Sequence, residues 1–501
     1  MPTSTLALTG NSLTLKDVYA VAHNDSITVS LDAGARKAVE ASRQVIENIL
    51  KENKIVYGVN TGFGAMSHVV IPPEQVDQLQ VNLVLSHCAG TGENLPIPVV
   101  RAMILLRANT LAKGFSGVRP VLIETLLEML NKGVYPLVPA QGSLGASGDL
   151  APLAHMSAVL IGHGEAQYNN KTLSGSEALK QAGINPVVLK AKEGLALLNG
   201  TQMMTALGTL SLIEAEKLAD IADLAGAATI EAVMGSHKPF DERIYSARPH
   251  AGHAESAKHI RAHLKNSQIE HAHENCTKVQ DAYSLRCIPQ VHGAARDAIA
   301  YARKVLETEV NSATDNPLVF PNGDVISQGN FHGEPVAMAL DMLGIALAEL
   351  ASISERRMDK LMNPAFSELP AFLVPPSEQA GLNSGMMIVH YAAAALVSEN
   401  KILAHPAVVD SIPTSNDKED HVSMGATAAR KAHKILEHTR WVLASELLCA
   451  MQGLDYHETL KPGDGVKKAH AKIRAIVPPL KTDRILKTDI EKICAILNTL
   501  L

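Results

Sequence analysis

The chain has 501 residues and a formal net charge of −6, and 46% of its residues are hydrophobic while only 3% are aromatic. This composition excludes intrinsic disorder and predicts a large aliphatic core. Because no basic run resembles a phosphate-binding surface and no apolar stretch is long enough for a bilayer, we expect neither a nucleic-acid partner nor a membrane partner.

The first predicted elements along the chain are mixed. Residues 26–31 alternate between apolar and polar side chains, which predicts a short strand. Residues 36–51 are predicted to form a helix. Residues 55–65 contain three glycines, which excludes a helix and predicts a loop with unusual backbone angles.

Helical patterns dominate the rest of the chain. Alanine, leucine and methionine, which include strong helix formers, are concentrated in the segments 202–234, 290–311 and 386–404. Two further sets of leucines recur at helical spacing and so occupy one helical face each. They are Leu340, Leu343, Leu347 and Leu350 in one segment, and Leu436, Leu443 and Leu447 in another. A polar segment at 411–424 interrupts the helices, and Pro462-Gly463 and Pro478-Pro479 break the C-terminal region.

These patterns together predict a mainly α fold, in which a small N-terminal α/β part sits on a long antiparallel helical bundle. We predict an N-terminal α/β domain at 1–200. The helical bundle and a C-terminal helical region are predicted to occupy 201–501. The long apolar helices exceed what one subunit can cover, which predicts an oligomer.

The cysteines and the first residues of the chain indicate in which cellular compartment the protein is expected. The five cysteines are odd in number and scattered, and they contain no C-x-x-C pair, which favours free thiols in a reducing compartment. The sequence after Met1 has no basic region followed by an apolar one, so we expect no secretory signal. A cytoplasmic location is therefore predicted.

The segment 142–156 (Gly-Ser-Leu-Gly-Ala-Ser-Gly-Asp-Leu-Ala-Pro-Leu-Ala-His-Met) has the greatest chemical content. Its plain structural interpretation is a glycine-rich turn before a helix. A serine nucleophile of the G-x-S-x-G type is excluded, because Ser147 is followed directly by Gly148 and Asp149. A phosphate-binding loop is excluded because no G-K-[S/T] follows.

Self-cyclisation is a third interpretation of this segment. Gly148 has no side chain to shield its amide nitrogen, and Ala146 is small enough for its carbonyl to be approached. Attack of the Gly148 nitrogen on the Ala146 carbonyl would close a five-membered ring, and loss of the Ser147 hydroxyl would leave an exocyclic methylene. The product, a 4-methylidene-imidazole-5-one (MIO), is a strong electrophile that needs no external cofactor.

Several separated blocks give this interpretation a specific context. They are residues 57–64, 145–153, 193–201, 283–287, 315–318, 329–332 and 419–424. Over nearly its whole length the chain resembles the histidine/phenylalanine/tyrosine ammonia-lyase family, most closely the members that act on histidine. The resemblance implies an autocatalytic MIO group formed from Ala146, Ser147 and Gly148. It also implies non-oxidative deamination of L-histidine to trans-urocanate and ammonia, by a homotetramer whose active sites are shared between subunits.

The resemblance also implies roles for individual residues. Deamination requires an electrophile that makes the amine a better leaving group and a base that removes the β-proton. Tyr57, on a mobile loop, is the implied base, and Tyr283 is a second active-site phenol. Asn199 is the implied partner of the electrophile or the amine, and Phe331 packs near the electrophile. Arg286 lies three residues after Tyr283, so the two share a helical face, and its planar guanidinium suits the substrate carboxylate.

Four positions are implied to bind the substrate side chain or to line its pocket. His87 and Glu419 suit a polar ring better than a phenyl group, and a carboxylate at 419 is able to hydrogen-bond imidazole. Gln280 is a candidate for the same polar cluster, and Met386 for the pocket lining. Taken singly, each of these residues is more often structural or solvated.

Two other functional hypotheses remain open at this stage. The same electrophile would serve a tyrosine or phenylalanine ammonia-lyase, or a 2,3-aminomutase that returns a β-amino acid. A helical binding protein without activity is the alternative from another class. The presence of Tyr57, Ser147, Tyr283 and Arg286 together argues against it, because a binding protein has no need of all four.

A cluster of possible metal ligands lies within residues 263–276. It consists of His263, His271, His273 and Cys276. Its spacing matches no standard zinc pattern, so a polar surface segment is the preferred interpretation. We predict no metal and no external cofactor.

Overall fold

The computed structural model describes residues 5–272, 279–375, 381–457 and 459–501, and about 60% of the chain is helical. The described part contains twenty α-helices and nine short strands. The helices are α1 (Leu15–His23), α2 (Ala33–Lys51), α3 (Val76–His87), α4 (Ile97–Ala112), α5 (Pro120–Lys132), α6 (Leu150–Leu160), α7 (Gly175–Gln181), α8 (Glu193–Leu198), α9 (Gln202–Ala232), α10 (Glu242–Ala247), α11 (Ala251–Leu264), α12 (Gln268–Ala272), α13 (Tyr283–Arg286), α14 (Ile288–Glu309), α15 (Glu334–Met362), α16 (Pro364–Ser367), α17 (Met387–Leu403), α18 (Gly425–Leu454), α19 (Asp464–Arg474) and α20 (Leu486–Ile496). The fold is therefore mainly α, as the sequence predicts.

The strands form four small sheets. The strands are β1 (Thr5–Leu8), β2 (Thr28–Leu31), β3 (Thr91–Asn94), β4 (Tyr135–Pro136), β5 (Pro139–Gln141), β6 (Glu165–Tyr168), β7 (Lys171–Ser174), β8 (Leu318–Val319) and β9 (Val325–Ile326). β1 and β2 pair in parallel, while β3–β5, β4–β6–β7 and β8–β9 are antiparallel. The strand predicted at 26–31 is confirmed by β2.

Two compact units divide the described chain, and both are discontinuous in sequence. Unit 1 consists of residues 1–213, 302–341 and 406–430, and unit 2 of residues 214–301, 342–405 and 431–501. This division differs from the predicted boundary near residue 200. The difference arises because segments far along the chain pack with the N-terminal residues, which a reading in chain order does not reveal.

Unit 1 is built around α4. Every residue of α4 from Val99 to Ala112 is buried, and the helix packs against α1 and α5. The helices α3, α6 and α8 pack on one another in the same unit. This second group carries the N-terminal candidate site residues, since α3 ends at His87, α6 follows the Ala-Ser-Gly triad and α8 precedes Asn199.

In unit 2 the long helices meet at small residues. Gly344 of α15 lies against Ala432 and Ile435 of α18, and Gly453 of α18 lies against Ala232 of α9. The leucines predicted to share helical faces are buried. The predicted long helices are confirmed, and 411–424 is a non-helical segment between α17 and α18. The predicted breaks precede α19 and α20.

One helix departs from the expectation about apolar length. In the described part of the chain, α15 is long and apolar enough to cross a membrane by length and composition, with a mean hydropathy of 1.8 over 18 residues. The buried share of that window is 67%. The prediction that no apolar stretch reaches this length was wrong. A helix of the protein core passes the same hydropathy test as a membrane span, so the length and composition of α15 do not distinguish the two.

Candidate active site

The Ala146–Ser147–Gly148 triad forms a very tight turn. Gly148 has φ +74° and forms bridges to both Gly145 and Ala146. A Cβ atom at position 148 would lie 2.1 Å from the carbonyl oxygen of Gly200. Only glycine therefore fits at 148, and the backbone is bent sharply, as attack of the Gly148 nitrogen on the Ala146 carbonyl requires.

Hydrogen bonds hold the triad from both sides. The Gly200 amide donates to the Ser147 carbonyl at 3.3 Å, and the Asp149 amide donates to the Gly200 carbonyl at 2.7 Å. On the N-terminal side, the Met424 amide donates to the Leu144 carbonyl at 3.0 Å. The turn is thus fixed by segments that are remote from it in sequence.

Asp149 is a buried acid next to the triad. Its Oδ1 accepts from the Ser143 hydroxyl at 3.2 Å, and its Oδ2 accepts from the Met204 amide at 2.9 Å. Burial raises the pKa of Asp149 to about 7, against the lowering effect of these donors. A carboxyl that titrates near neutral pH is able to exchange protons with its surroundings.

Asn199 is anchored in the segment that contacts the triad. Its Nδ2 donates to the carbonyl oxygen of Asn316 at 2.8 Å, and its own carbonyl oxygen accepts from Arg107. Asn199 is 3% exposed. Asn199 therefore directly precedes Gly200, whose backbone contacts Gly148.

Tyr57 lies on a loop that contacts the same part of unit 1. The loop consists of turns and one 3-10 turn at Gly64–Met66, so the absence of an α-helix predicted at 55–65 is confirmed. A Cβ atom at Gly58 would lie 2.7 Å from Leu195 of α8. Burial raises the pKa of Tyr57, a backbone hydrogen bond from Gly64 lowers it, and the charge of Glu419 raises it. The phenol therefore keeps its proton at neutral pH in this state.

Glu419 ends a tight hairpin in the predicted polar segment. Thr414 and Glu419 exchange backbone hydrogen bonds of 2.9 and 3.3 Å. The turn between them places Ser415, Asn416 and Asp417 in the left-handed region. Among the residues that the structure describes, the buried Oε2 of Glu419 has no hydrogen-bond partner. A buried acceptor without a partner is costly, so this atom is suited to receive a donor from a ligand.

His87 is the last residue of α3, and its ring orientation is defined by the helix. Its Nδ1 lies 2.8 Å from the Leu83 carbonyl oxygen, which only accepts, so Nδ1 carries the proton. Burial lowers the pKa of His87, while the hydrogen bond to Leu83 raises it. The ring is therefore neutral, and its Nε2 is an acceptor.

Phe331 precedes α15 in a short turn and is half-buried. The next residue, His332, stacks on His421 with ring centroids 5.8 Å apart, and its Nε2 lies 3.1 Å from the His421 carbonyl oxygen. This stack joins the Phe331 block to the Glu419 block. The two histidines lie within the quoted sequence blocks, but the sequence gives no reason to pair them.

Gln280, Tyr283, Arg286 and Met386 belong to unit 2. The predicted contact within α13 is present, since the Arg286 guanidinium lies 4.6 Å from the centre of the Tyr283 ring. Tyr283 is 68% exposed. Gln280 lines a cavity of about 150 Å³, whereas Met386 is fully buried at the start of α17.

Three buried charges were missed by the sequence analysis. Arg107, Lys192 and Asp315 are all fully buried in unit 1, and Lys192 Nζ lies 2.6 Å from Asp315 Oδ2. Burial lowers the pKa of Arg107 to about 10, and the Asp315 charge raises it. A usable signal was present, because Arg107 directly follows the apolar run 102–106, where an unpaired charge is expensive.

The possible metal cluster is only partly described. His273 and Cys276 lie outside the described residues, as does the side chain of His271. Among the side chains that are described, no group of three or more histidine, cysteine, aspartate or glutamate residues is arranged to hold a metal ion.

Comparisons with known proteins agree with this geometry. The family model for aromatic amino acid lyases matches residues 13–475. A histidine ammonia-lyase from Koribacter versatilis is 55% identical over 498 residues, which cover 97% of this chain and 96% of that protein.

Two solved structures are similar along the whole chain. The histidine ammonia-lyase of Trypanosoma cruzi superposes with a TM-score of 0.91 at 43% identity, covering 99% of this chain and 93% of that one. A tyrosine aminomutase from Streptomyces globisporus has a TM-score of 0.92 at 38% identity, covering 99% and 97%. The family match and the identity over nearly the full length assign this chain to the aromatic amino acid lyase family.

Proposed function

We propose that this chain is a histidine ammonia-lyase, which converts L-histidine to trans-urocanate and ammonia without oxidation. The names of three relatives that are 53–55% identical to this chain support this assignment. The observation that carries the choice of substrate is the buried, unpartnered Oε2 of Glu419, whose charge acts on the candidate base Tyr57. An imidazole N–H is a donor of the kind that this oxygen lacks.

The electrophile is proposed to be an MIO group made from the triad. The Gly148 nitrogen bonds to the Ala146 carbonyl carbon. The carbonyl oxygen leaves as water with the amide protons of Ser147 and Gly148. The Ser147 hydroxyl leaves as a second water with the Ser147 α-proton. The group supplies an electron-poor carbon that makes the substrate amine a better leaving group. The close approach of Gly148 to Gly200 supports this proposal, because the turn admits no side chain.

Tyr57 is proposed to remove the β-proton. Its raised pKa means that the phenol must first lose a proton, and the nearby charge of Glu419 opposes that loss. A hydrogen bond from the substrate ring to Glu419 would weaken this opposition, so binding of histidine itself favours the basic form of Tyr57. A phenyl ring provides no such donor.

His87 and Glu419 are proposed to select the ring. Because Nδ1 of His87 is directed to Leu83, its Nε2 is the ring nitrogen left to meet the substrate. Both groups are acceptors in this state, which favours a ring that carries N–H donors over an apolar ring. Phe331 is proposed to pack near the electrophile, and Asn199 to hydrogen-bond the electrophile or the departing amine.

The remaining roles are proposed to be filled by residues of a second chain. Arg286 is proposed to bind the substrate carboxylate, with Tyr283 as a second phenol and with Gln280 and Met386 close by. We propose a cytoplasmic homotetramer in which these residues complete the site of a neighbouring subunit. The exposure of Tyr283 supports this, as does an exposed apolar stripe on α17. The stripe includes Ile388, Tyr391 and Ile402.

A tyrosine aminomutase is the second candidate, because the structure from Streptomyces globisporus is so similar over the full length. Such an enzyme would return a β-amino acid in place of free ammonia. The acceptors at His87 and Glu419 favour the histidine assignment when the substrate ring is an imidazolium, because both of its nitrogens then donate whereas a phenol has a single hydroxyl donor.

The assignment is tested by measuring intact mass and then products. The purified chain should be two waters lighter than its sequence mass. Ammonia release should be fastest from L-histidine, with urocanate as the product, when L-histidine, L-tyrosine and L-phenylalanine are compared by specificity constant. A chain of full sequence mass contradicts the MIO group. A preference for tyrosine or phenylalanine contradicts the substrate, and a β-amino acid product identifies an aminomutase.

A further inference from the structure

Arg107 is a buried cation whose hydrogen bonds all point to one short segment. Its Nη1 donates to the Asn199 carbonyl at 2.5 Å and to Gln202 Oε1 at 2.6 Å, and its Nη2 donates to the Ala196 carbonyl at 2.5 Å. The residue is fully buried in the middle of α4. Every oxygen that it binds in these contacts belongs to a neutral group. The buried carboxylate of Asp315, whose charge acts on Arg107, is itself paired with Lys192.

The segment that Arg107 holds is the end of α8. The last carbonyls of a helix lack partners within the helix, and Arg107 supplies donors for two of them. The next residue, Gly200, has φ +144°, and a Cβ atom there would lie 2.6 Å from Arg107 Nη1. Arg107 therefore fixes both the end of α8 and the path of the backbone at Gly200.

This same segment contacts three elements that carry candidate catalytic or binding residues. Gly200 contacts Gly148 of the triad. Leu195 contacts Gly58, beside Tyr57, and Gly194 contacts the backbone of Gln80 in α3, the helix that ends at His87. A shift of α8 would consequently be transmitted to all three, and most directly to the triad, where two backbones meet without any side chain between them.

We propose that Arg107 is a positioning residue for the cyclisation of the triad. It holds Gly200 so that the Gly200 amide and carbonyl engage Ser147 and Asp149, and these bonds keep the Gly148 nitrogen near the Ala146 carbonyl carbon. The bond formed and the two waters lost are those described above, and Arg107 gains or loses no atoms. This inference rests on the proposed function, because it presumes that the triad cyclises.

Arg101 provides a matched control on the same helix. It is also buried, and it also binds backbone carbonyls at the end of a helix, namely those of Val21 and Asn24 at α1. Its contacts do not include α8 or the triad. Arg101→Met therefore removes a comparable guanidinium from α4 and reports the cost of that loss to folding alone.

The experiment compares Arg107→Met, Arg107→Lys and Arg101→Met with the parent chain. Intact mass at successive times after synthesis gives the fraction of chains that are two waters lighter, and thermal unfolding shows whether each variant is folded. A misplacement of about 1 Å can cost about 100-fold in rate, so Arg107→Met is expected to cyclise slower by that order. Arg107→Lys, which keeps the charge but only one donor group, should fall in between. Arg101→Met should be fully cyclised.

Kinetics supply a second measurement. Turnover per total chain should fall with the uncyclised fraction in the Arg107 variants, while KM for histidine stays near the parental value. Full cyclisation of folded Arg107→Met overturns the proposal. The proposal is also overturned if cyclisation slows as much in Arg101→Met as in Arg107→Met. Failure of both Arg107 variants to fold overturns it as well, because the residue would then support the whole unit. A parent chain of full mass instead contradicts the proposed function itself.

Discussion

The two compact units use buried charge differently. Unit 1 contains the buried Lys192–Asp315 ion pair, but its charges nearest the triad bind neutral groups. Arg107 binds neutral oxygens at the end of α8, and Asp149 binds a hydroxyl and an amide beside the triad. In unit 2, buried charges bind one another. Arg357 and Glu446 are both fully buried and form a two-point ion pair with distances of 2.5 and 2.7 Å.

The unit 2 pair belongs to a larger network. Arg357 also lies 3.3 Å from the Nε2 of His292, and the Nδ1 of His292 lies 2.7 Å from Asp223. Thr229 and Ser354 donate to Glu446. Each charge has a charged or hydrogen-bonding partner, so this network specifies how the helices of unit 2 pack.

The buried charges near the triad in unit 1 stabilise a backbone path that is otherwise unfavourable, which is typical of functional sites. The contrast predicts that unit 1 substitutions near the triad affect chemistry more than folding, and that network substitutions in unit 2 do the reverse.

The largest effect is expected from Ser147→Ala. Alanine has no hydroxyl to lose, so no exocyclic methylene forms and turnover should be abolished while the thermal unfolding profile stays near the parental one. Ser157→Ala is the control, because the buried Ser157 hydroxyl in α6 has no partner among the described residues. It should keep its activity. Near-parental turnover in Ser147→Ala would end the electrophile hypothesis.

Tyr57→Phe tests the base. The change removes only the phenol oxygen, so the edge contact with Phe63 survives. Loss of a general base typically costs about 10²–10⁴-fold, and we expect kcat to fall by that order with a smaller change in KM. Tyr301→Phe, at an exposed position, serves as the control. An unchanged rate would move the base role to Tyr283.

His87→Leu combined with Glu419→Gln tests substrate choice. A buried polar group left without a partner costs about 1–3 kcal/mol, so two mismatches disfavour phenylalanine by on the order of 10²–10⁴-fold in the parent. The double variant removes one mismatch and one buried charge, so the ratio of specificity constants should shift toward phenylalanine as histidine activity falls. If the parent prefers histidine and the ratio does not move, other residues such as Met386 select the substrate.

Glu446→Gln is the corresponding test for unit 2. Removing one partner of a buried ion pair typically costs about 3–5 kcal/mol, and the remaining Arg357 charge would be uncompensated. Chemical denaturation should show this loss while kcat of the folded protein stays near the parental value. Arg357→Met with Glu446→Leu should recover part of the stability. A large fall in kcat without loss of stability would erase the contrast between the units.

The last test concerns the pH dependence of stability at Asp149. Its pKa is raised from 3.8 to about 7 in the folded chain, so the unfolded state releases its proton first as pH rises. The free energy of unfolding that the protonated Asp149 contributes is therefore lost as the pH rises from 3.8 to about 7, by roughly 4 kcal/mol at most. Asp149→Asn removes this dependence. The unfolding midpoints of parent and variant, compared from pH 5 to pH 8, should diverge as pH rises. Parallel profiles would contradict the assignment.

The helices and the loops could be predicted because their signals are local. Leucines three and four residues apart define a buried face, and three glycines within 55–65 exclude a helix. The contact of Arg286 with Tyr283 was predictable for the same reason, since the two are separated by one helical turn.

The support of the triad could not be predicted in this way. Arg107 and Asn199 are 92 positions apart, and no periodic pattern relates them. The same is true of the approach of Gly148 to Gly200, which is visible only when both backbones are folded. Sequence patterns identify the reacting residues through their resemblance to a family, whereas the forces that bend the triad come from contacts between distant segments.

The hydrogen bond from the Met424 amide to the Leu144 carbonyl limits when the triad of each molecule is able to cyclise. The triad turn depends on residues 200 and 424, so an incomplete polypeptide leaving the ribosome lacks the supports that bend it. On the proposed chemistry, dehydration then occurs only in molecules that have been synthesised beyond residue 424 and have folded around the triad. Because the resulting ring is covalent, it outlasts later denaturation. Each chain would carry a lasting mark of having once reached its native state, and the mass spectrum of a fully denatured sample would count how many chains had done so.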